Sequence, residues 1–481
     1  MAEKRQGNIE YQVLSKEKIQ FIHEKSLELL ESVGIKVGGE QVTDMLLSNG
    51  CEIMEDGYMR IPSDLVERCL ELAPKEVVLY NRDGNPNMYL DQRNYKYFGS
   101  IADGMEFFDP DIDKLRTYTL EDSSIMCTLC DALDNFDFMV FTGVYYGPRT
   151  EVHTQLFYYN VIKNFSKTIS LSTNDVEGLK SAIEISKIIA GGADKLAEKP
   201  FVFHYCEPIP PLGFPYDSTE RIRLAAEAGI PIVSMPYSMM GGTAPVTKTM
   251  ALIQNNAEVL AGLVIAQLTR PGVGYIYGSM PTVFDMKSTI GSYAAPEFHL
   301  NINASAELSD FYNLPFFGTC GVSDAKILDI QCAAEGMMQV MNAMLGKQNI
   351  IHDIGMLDHG SNMNPLYLLF IDELIDMVKA YVKGYDIEED DVDMDVFKRC
   401  KSLGHYMYDE HTMKNFKSSV RYSDIFTRKM VNPDESEVIP LLKERYHNIL
   451  SQHHCPPMDG ERLTELESYL EQFKIKEFYQ K

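Results

Sequence analysis

The side chains able to do chemistry in this sequence fall in short clusters, each just after a β-rich run. His204, Cys206 and Glu207 are one cluster, and Met235-Pro236-Tyr237 leads into another, Met239-Met240-Gly241-Gly242-Thr243. Thr319-Cys320-Gly321 runs into Ser323-Asp324, and His352-Asp353 completes the series. Tyr97, Phe98, Gly99 and Ser100 near the start, then Tyr145 and Tyr146, add aromatic faces. A His-x-Cys with a distant Cys320 is a donor set that zinc can use to hold a thiol as thiolate. Against this, residues 206 and 320 fall on elements that would lie nearly opposite each other. The glycine pair in Met239–Thr247 opens a long helix. Its backbone N–H groups could hold an anion such as a carboxylate, or the glycines could serve a tight connection needing positive φ. Both readings stay open. Cys127 and Cys130 form a lone CxxC inside a helical stretch and read as packed thiols. No GxSxG, HExxH or P-loop occurs, so the common hydrolase and phosphotransferase templates are unsupported.

Such clusters need a scaffold that brings them to one face. Residues 15–33 show helical spacing of Ile19, Ile22, Leu27, Leu30 and Val33, with Ser15 as cap, and further helices are expected at 40–48 and from Ser63. From about residue 94 the pattern becomes regular. Strands are expected at 95–101, 138–144, 168–172, 201–206, 232–235, 274–277, 316–319 and 350–354, with helices between them. Eight alternations imply a parallel sheet with right-handed crossovers, and eight strands are the count of a (β/α)8 TIM barrel. An open doubly wound sheet would carry a GxGxxG after its first strand, and none is present. The expected layout is an N-terminal mixed leader over 1–93, a barrel over 94–384 and a C-terminal helical extension over 385–481. In the extension, the acidic run 386–395 reads as a solvated helix start, because the glycine and closing glutamate of an EF-hand are missing. A barrel presents its active site at the carboxyl ends of the strands, where these clusters fall.

Composition narrows the partners. With 70 acidic and 44 basic residues the formal net charge is −26, which argues against nucleic acid and suits a cationic ligand or plain solubility. The apolar run near 259–268 is shorter than the roughly 18 residues of a membrane span, and the opening residues do not read as a signal peptide. Nine cysteines without framework spacing fit a reducing compartment. The expectation is a soluble, cytoplasmic protein that uses no membrane, with self-association expected of a barrel.

The stretch GGTAPVTKTMALIQNNAEVLAGLVIAQLTRPG from Gly241 to Gly272, followed by GYIYGSM, GVSDAK and NIIHDIG, resembles the trimethylamine methyltransferase family. The likeness extends over most of the chain. It implies a TIM-barrel enzyme that moves a methyl group from an amine to the cobalt(I) of a separate corrinoid protein. Cobalamin would travel with that partner, with no cofactor tightly bound here and no resident metal. The sequence holds only standard residues. It is therefore similar to the branch lacking pyrrolysine, which implies quaternary amines of the betaine type: glycine betaine, proline betaine, carnitine or butyrobetaine. A quaternary nitrogen leaves as a neutral tertiary amine, so no catalytic acid or covalent adduct is needed, and positioning carries the reaction. Aromatic faces bind such cations, with Tyr97, Phe98, Tyr145 and Tyr237 as candidates. His204, His352 or the Gly242 backbone could meet a substrate carboxylate. Glu207, Asp324 and Asp353 are the nearby acids, the two aspartates placed to orient His352 or balance the ammonium. The alternatives are a zinc-dependent thiol methyltransferase using His204 and Cys206, or a barrel that binds betaines without turning them over.

Overall fold

The computed structural model describes residues 11–91, 95–142, 150–385, 389, 392–402, 404–428 and 436–475. Eight parallel strands close into a barrel, in chain order: β1 (Tyr97–Ile101), β2 (Phe136–Phe141), β3 (Thr168–Leu171), β4 (Val202–Cys206), β5 (Ile232–Ser234), β6 (Tyr275–Gly278), β7 (Phe316–Thr319) and β8 (Ile350–His352). The ring is completed where β8 pairs with β1, Ile350 opposite Tyr97 and Ile351 opposite Phe98. The expected (β/α)8 architecture is the observed one. These strands are buried on both faces, as helix-covered parallel strands must be.

Strand alternation decides what each residue faces. On β4, Phe203 and Tyr205 point into the barrel, and on β2 Phe138 does. Phe138, Phe203 and Phe317 of β7 meet edge to face at 5.9–6.3 Å between centroids. Gly99 makes room for them, since a Cβ there would stand 2.6 Å from the Phe138 ring. This aromatic layer is a floor. Above it Tyr205 and His352 pack on Phe317, at 5.6 and 4.4 Å.

Below the floor the barrel is corked. The hairpin Val77–Tyr80/Pro86–Leu90 crosses its amino end. The Tyr97 hydroxyl accepts from the Tyr89 N–H at 2.9 Å and donates to its carbonyl at 3.3 Å. Asn87 donates to the Asp137 carbonyl and to the Thr168 hydroxyl, both at 2.8 Å. The leader helix Lys16–Ser32 starts at Ser15, whose side chain accepts from the Lys18 N–H, and it packs on the barrel helix Lys248–Thr269. The latter is 22 residues long and apolar enough to cross a membrane by length and composition, longer than the run picked out in the sequence. In the fold, 83% of its apolar window is buried, which makes it a core helix.

After the last barrel helix, Pro365–Val382, come helices Met394–Cys400, Glu410–Ser419, Val438–Gln452 and Gly460–Leu470. Half of the acidic run 386–395 lies outside the described residues; within it, Asp393 caps the helix Met394–Cys400. Cys127 and Cys130 are buried on the helix Leu120–Ala132, and all nine cysteines are free thiols.

Candidate active site

A cavity of about 350 Å³ lies above the aromatic floor, at the carboxyl ends of the strands. Its walls come from nearly every strand end. Ile101 ends β1 and Asp103 and Met105 follow it, Val140 and Thr142 belong to β2 and its loop, and Ser172 follows β3. Tyr205 and Glu207 come from β4, Tyr237 follows β5, and Met280 follows β6. Tyr293 enters from the loop before the helix Pro296–Phe311, and His352, Asp353 and Met356 close the ring at β8.

The carboxylates set the field. Asp103 is fully buried, and its Oδ1 accepts from both the N–H and the hydroxyl of Thr142 at 2.8 Å. His153 Nε2 stands 3.9 Å from its other oxygen, on a ring that burial drives down to about 4 and so keeps neutral. Asp353 sits at φ +71, a conformation that a residue with a Cβ adopts at a cost. The Thr319 hydroxyl donates to its Oδ2 at 2.9 Å. Burial nevertheless pushes the Asp353 carboxyl up to about 7. Glu207 keeps an exposed surface at the cavity mouth and accepts a hydrogen bond from the Tyr205 hydroxyl. Its pKa is raised, first by the enclosing protein and also by Asp353, with the Tyr205 bond pulling the other way. His352 is 3% exposed, and burial lowers it to about 3, so the ring is neutral near pH 7. Its Nδ1 lies 3.1 Å from Asp353 Oδ2 but makes no hydrogen bond.

The rings form a second element of the design. Tyr237 and Tyr293 stack at 5.8 Å and 22°, making one flat wall. Tyr293 is held from behind by Asp324, whose oxygens accept from the Tyr293 N–H at 2.9 Å, the Ser292 hydroxyl at 2.5 Å and His359 Nδ1 at 3.0 Å. Three acids, three tyrosines and three methionines with no Lys or Arg among the described lining residues make an environment for a cation.

Of the residues singled out in the sequence, Glu207, Tyr237, His352 and Asp353 line this cavity. Asp324 stands behind the wall as a positioning residue. Tyr97 is tied to the hairpin at the opposite end of the barrel, so its ring does not reach the cavity. Phe98 is fully buried on the outer side of β1, with the Lys379 ammonium 5.9 Å from its ring, and it does not reach the cavity either. His204 lies on the face of β4 opposite Tyr205, its Nδ1 2.9 Å from the Leu171 carbonyl. Cys206 shares that face and donates to the Ser218 carbonyl at 3.5 Å. No group of three His, Cys, Asp or Glu side chains able to hold a metal occurs among the described residues. Gly242 is exposed, and its loop is closed on itself: the Gly242 and Ala244 N–H groups both donate to the Met239 carbonyl, and Gly241 N–H to the Ala244 carbonyl. Gly241 itself sits at φ +87, which favours the tight-turn reading of the glycine pair over an anion cradle. Tyr145 and Tyr146 lie outside the described residues.

The sequence reading missed Asp103, Tyr205 and Tyr293. Asp103 follows the first strand by two residues and was findable from position alone. Tyr205 required the phase of β4, and Tyr293 required a loop hairpin, Thr282–Asp285 with Ile290–Ser292, that no periodicity announced.

The family model for trimethylamine methyltransferase (MTTB) matches residues 2–476. The chain belongs to that family. It is therefore an enzyme of the methyltransferase class, and with standard residues alone it falls in the branch without pyrrolysine. It is 29% identical over 471 residues to a glycine betaine methyltransferase of Desulfitobacterium hafniense (strain Y51), covering 96% of this chain and 97% of that one. It is 27% identical over 478 residues to the trimethylamine methyltransferase MttB of Methanosarcina thermophila, with 96% and 97% covered. Among solved structures, the monomethylamine methyltransferase MtmB of Methanosarcina barkeri superposes with a TM-score of 0.54 at 13% identity, over 92% of this chain and 90% of that one. That likeness shows the shared fold.

Proposed function

We propose that this chain transfers a methyl group from a small quaternary amine to the cobalt(I) of a corrinoid carried by a separate protein. The observation that carries the reading is the cavity of carboxylates and tyrosines at the carboxyl ends of the strands, in a member of this family. Glu207 and Asp353 supply negative charge to the ammonium, and the Tyr237–Tyr293 wall supplies ring faces, each worth about 0.5–2 kcal/mol to a cation. The methionines Met105, Met280 and Met356 offer soft contacts to N-methyl groups.

The nitrogen needs no proton, because it departs as a neutral tertiary amine. The work of the protein is orientation: one methyl must point to the mouth while the others are held against the walls. At about 350 Å³ the cavity holds a small amine and leaves a corrin ring outside. The reduced corrinoid supplies the methyl acceptor, and its carrier would dock on the loops around the mouth. Free thiols throughout the chain fit a reducing, cytoplasmic setting.

Betaine-type amines are the first to screen, including glycine betaine, which the Desulfitobacterium relative's name specifies. The test is incubation of the purified chain with a reduced corrinoid protein and a panel of quaternary amines, following the cobalt(I) absorbance and the demethylated amine. Loss of the cobalt(I) band with stoichiometric tertiary amine is the expected result. No transfer from any quaternary amine, with a corrinoid protein active in a control reaction, would refute the reading.

A further inference from the structure

Tyr293 of the cavity wall is anchored through both of its backbone polar groups. Its N–H donates to Asp324 Oδ1 at 2.9 Å, and its carbonyl accepts from His299 Nε2 at 2.8 Å. Asp324 Oδ1 also meets His359 Nδ1 at 3.0 Å. A carboxylate only accepts, so the imidazole donates from Nδ1. Its Nε2 then accepts, and the Lys326 ammonium stands 2.9 Å away to donate. Lys326 is held in turn by Asp358. Hydrogen bonds thus run from an exposed lysine, through an imidazole and a carboxylate, to the backbone of the wall. The turn that carries the imidazole is costly. Asp358 and His359 sit at φ +51 and +57, followed by Gly360 at +85. Side chains with a Cβ rarely adopt that region, and such strain persists only where the surroundings hold it. The Asp358 N–H donates to the Ala325 carbonyl at 2.8 Å and the His359 N–H to the Ser323 carbonyl at 3.2 Å, which stitches the turn to the segment bearing Asp324. The turn also lays Gly360 along the cavity, where a Cβ would stand 3.8 Å from the Tyr293 ring.

We propose that His359 is a positioning residue of the amine site, acting through Asp324 to hold the Tyr293 ring flat against Tyr237. The proposal rests on the methyl-transfer reading and adds to it a residue that acts on the amine only through Tyr293. Without the Nδ1 donor, Asp324 turns toward its other partners, the Ser292 hydroxyl and the Ala294 N–H, and the ring loses its pitch. A cation is attracted to the face of a ring, so a tilted Tyr293 holds the ammonium less well and aims its methyl group less accurately.

The experiment measures KM and kcat of the full chain with a reduced corrinoid protein and tetramethylammonium, glycine betaine or carnitine, using the amine demethylated fastest. Melting temperature serves as the folding control. His359→Asn keeps an amide donor at the place of Nδ1 and suits the left-handed backbone, so its KM should stay within about threefold of the wild type. His359→Gly relieves the backbone but removes the donor, and should raise KM by about 3- to 10-fold. His359→Gln, whose amide reaches the place of Nε2 instead, should do the same, and it takes over the test if the glycine variant folds poorly. In a Tyr293→Leu background either substitution should change KM by less than about twofold, because the ring through which His359 acts is gone. An unchanged KM in both donorless variants, or a rise that persists without Tyr293, overturns the proposal and leaves methyl transfer standing. His359→Asn as impaired as His359→Gly overturns it as well. Transfer by the wild type from none of the three amines overturns both the proposal and the function on which it rests.

Discussion

The two ends of the barrel treat buried charge in opposite ways. At the amino end two lysines, one buried and one half-buried, face backbone oxygen. Lys96, 2% exposed, donates to the Gly346 and Gln348 carbonyls at 2.6 and 2.7 Å. Lys167 donates to the carbonyls of Cys130, Leu133 and Phe136 at 2.6–3.1 Å, closing the end of the helix Leu120–Ala132. At the carboxyl end the charges among the described lining residues are anionic. Glu207 and Asp353 each have a single hydroxyl donor among the described residues, from Tyr205 and Thr319. The amino end gives each cation several backbone acceptors, although burial still holds the Lys96 ammonium well below its usual pKa. The other leaves capacity unfilled, and a raised carboxyl pKa is the physical sign of it.

The sharpest way to break this contrast is Asp353→Asn. From its usual 3.8 to about 7, ionising this carboxyl in the fold costs roughly 4 kcal/mol. The folded state thus favours the protonated acid. That contribution is full below the unfolded value near 3.8 and is lost as pH rises toward 7. Asp353→Asn should therefore melt higher than the wild type at pH 8, with the gain shrinking as pH falls from 7 to 4. Its kcat/KM for a quaternary amine should fall on the order of 100-fold. An unchanged melting temperature at pH 8 would show that the site stores no such cost.

At the opposite end, Lys167→Met should cost about 2–4 kcal/mol of stability, because three carbonyls lose their donor, while leaving KM alone. Chemical denaturation alongside steady-state kinetics separates the two; a KM effect would erase the distinction between the ends. A smaller effect is expected at the tyrosine wall. Tyr237→Leu should raise KM by about 2- to 30-fold, from roughly 0.5–2 kcal/mol of lost cation–ring attraction. Gly291→Ala tests the same wall from behind, because a Cβ there would stand 2.8 Å from the Tyr237 hydroxyl. It should raise KM less than Tyr237→Leu, with kcat also reduced as the ring moves. The mildest test is pH itself. Amine affinity should increase as pH rises through about 7 and Asp353 ionises, and the increase should be absent in Asp353→Asn. A flat binding profile in the wild type would assign the cation to other groups.

The eight-fold alternation was legible because each strand and helix carries its own period and turn residues. The face of the site was legible for the same reason, since in such a barrel it follows from strand direction. Which side chains face inward was another matter. All five residues of β4 are buried, so hydrophobicity does not distinguish the His204 side from the Tyr205 side. Tyr97 failed differently: it does point inward, but from the wrong end of β1, where the leader hairpin meets it. Residues such as Tyr237 and Asp353, just past their strand ends, were readable because position alone determines their side of the molecule. Tyr293 depended on an excursion between β6 and β7 whose hydrogen bonds to Asp324 are long-range, and no local pattern encodes those.

The corked amino end has a consequence for the order of events. With the hairpin and the Phe138–Phe203–Phe317 floor closing the amino side, the cavity lies at the carboxyl ends of the strands, the side from which amine, methyl acceptor and product would pass in the proposed reaction. Under the proposed methyl transfer, traffic through one mouth would queue: the amine would enter first, the acceptor's carrier would then cover the opening, and the demethylated amine would leave only after the carrier had gone. A tight carrier would hold the product in, so turnover would be governed by how fast the two proteins part.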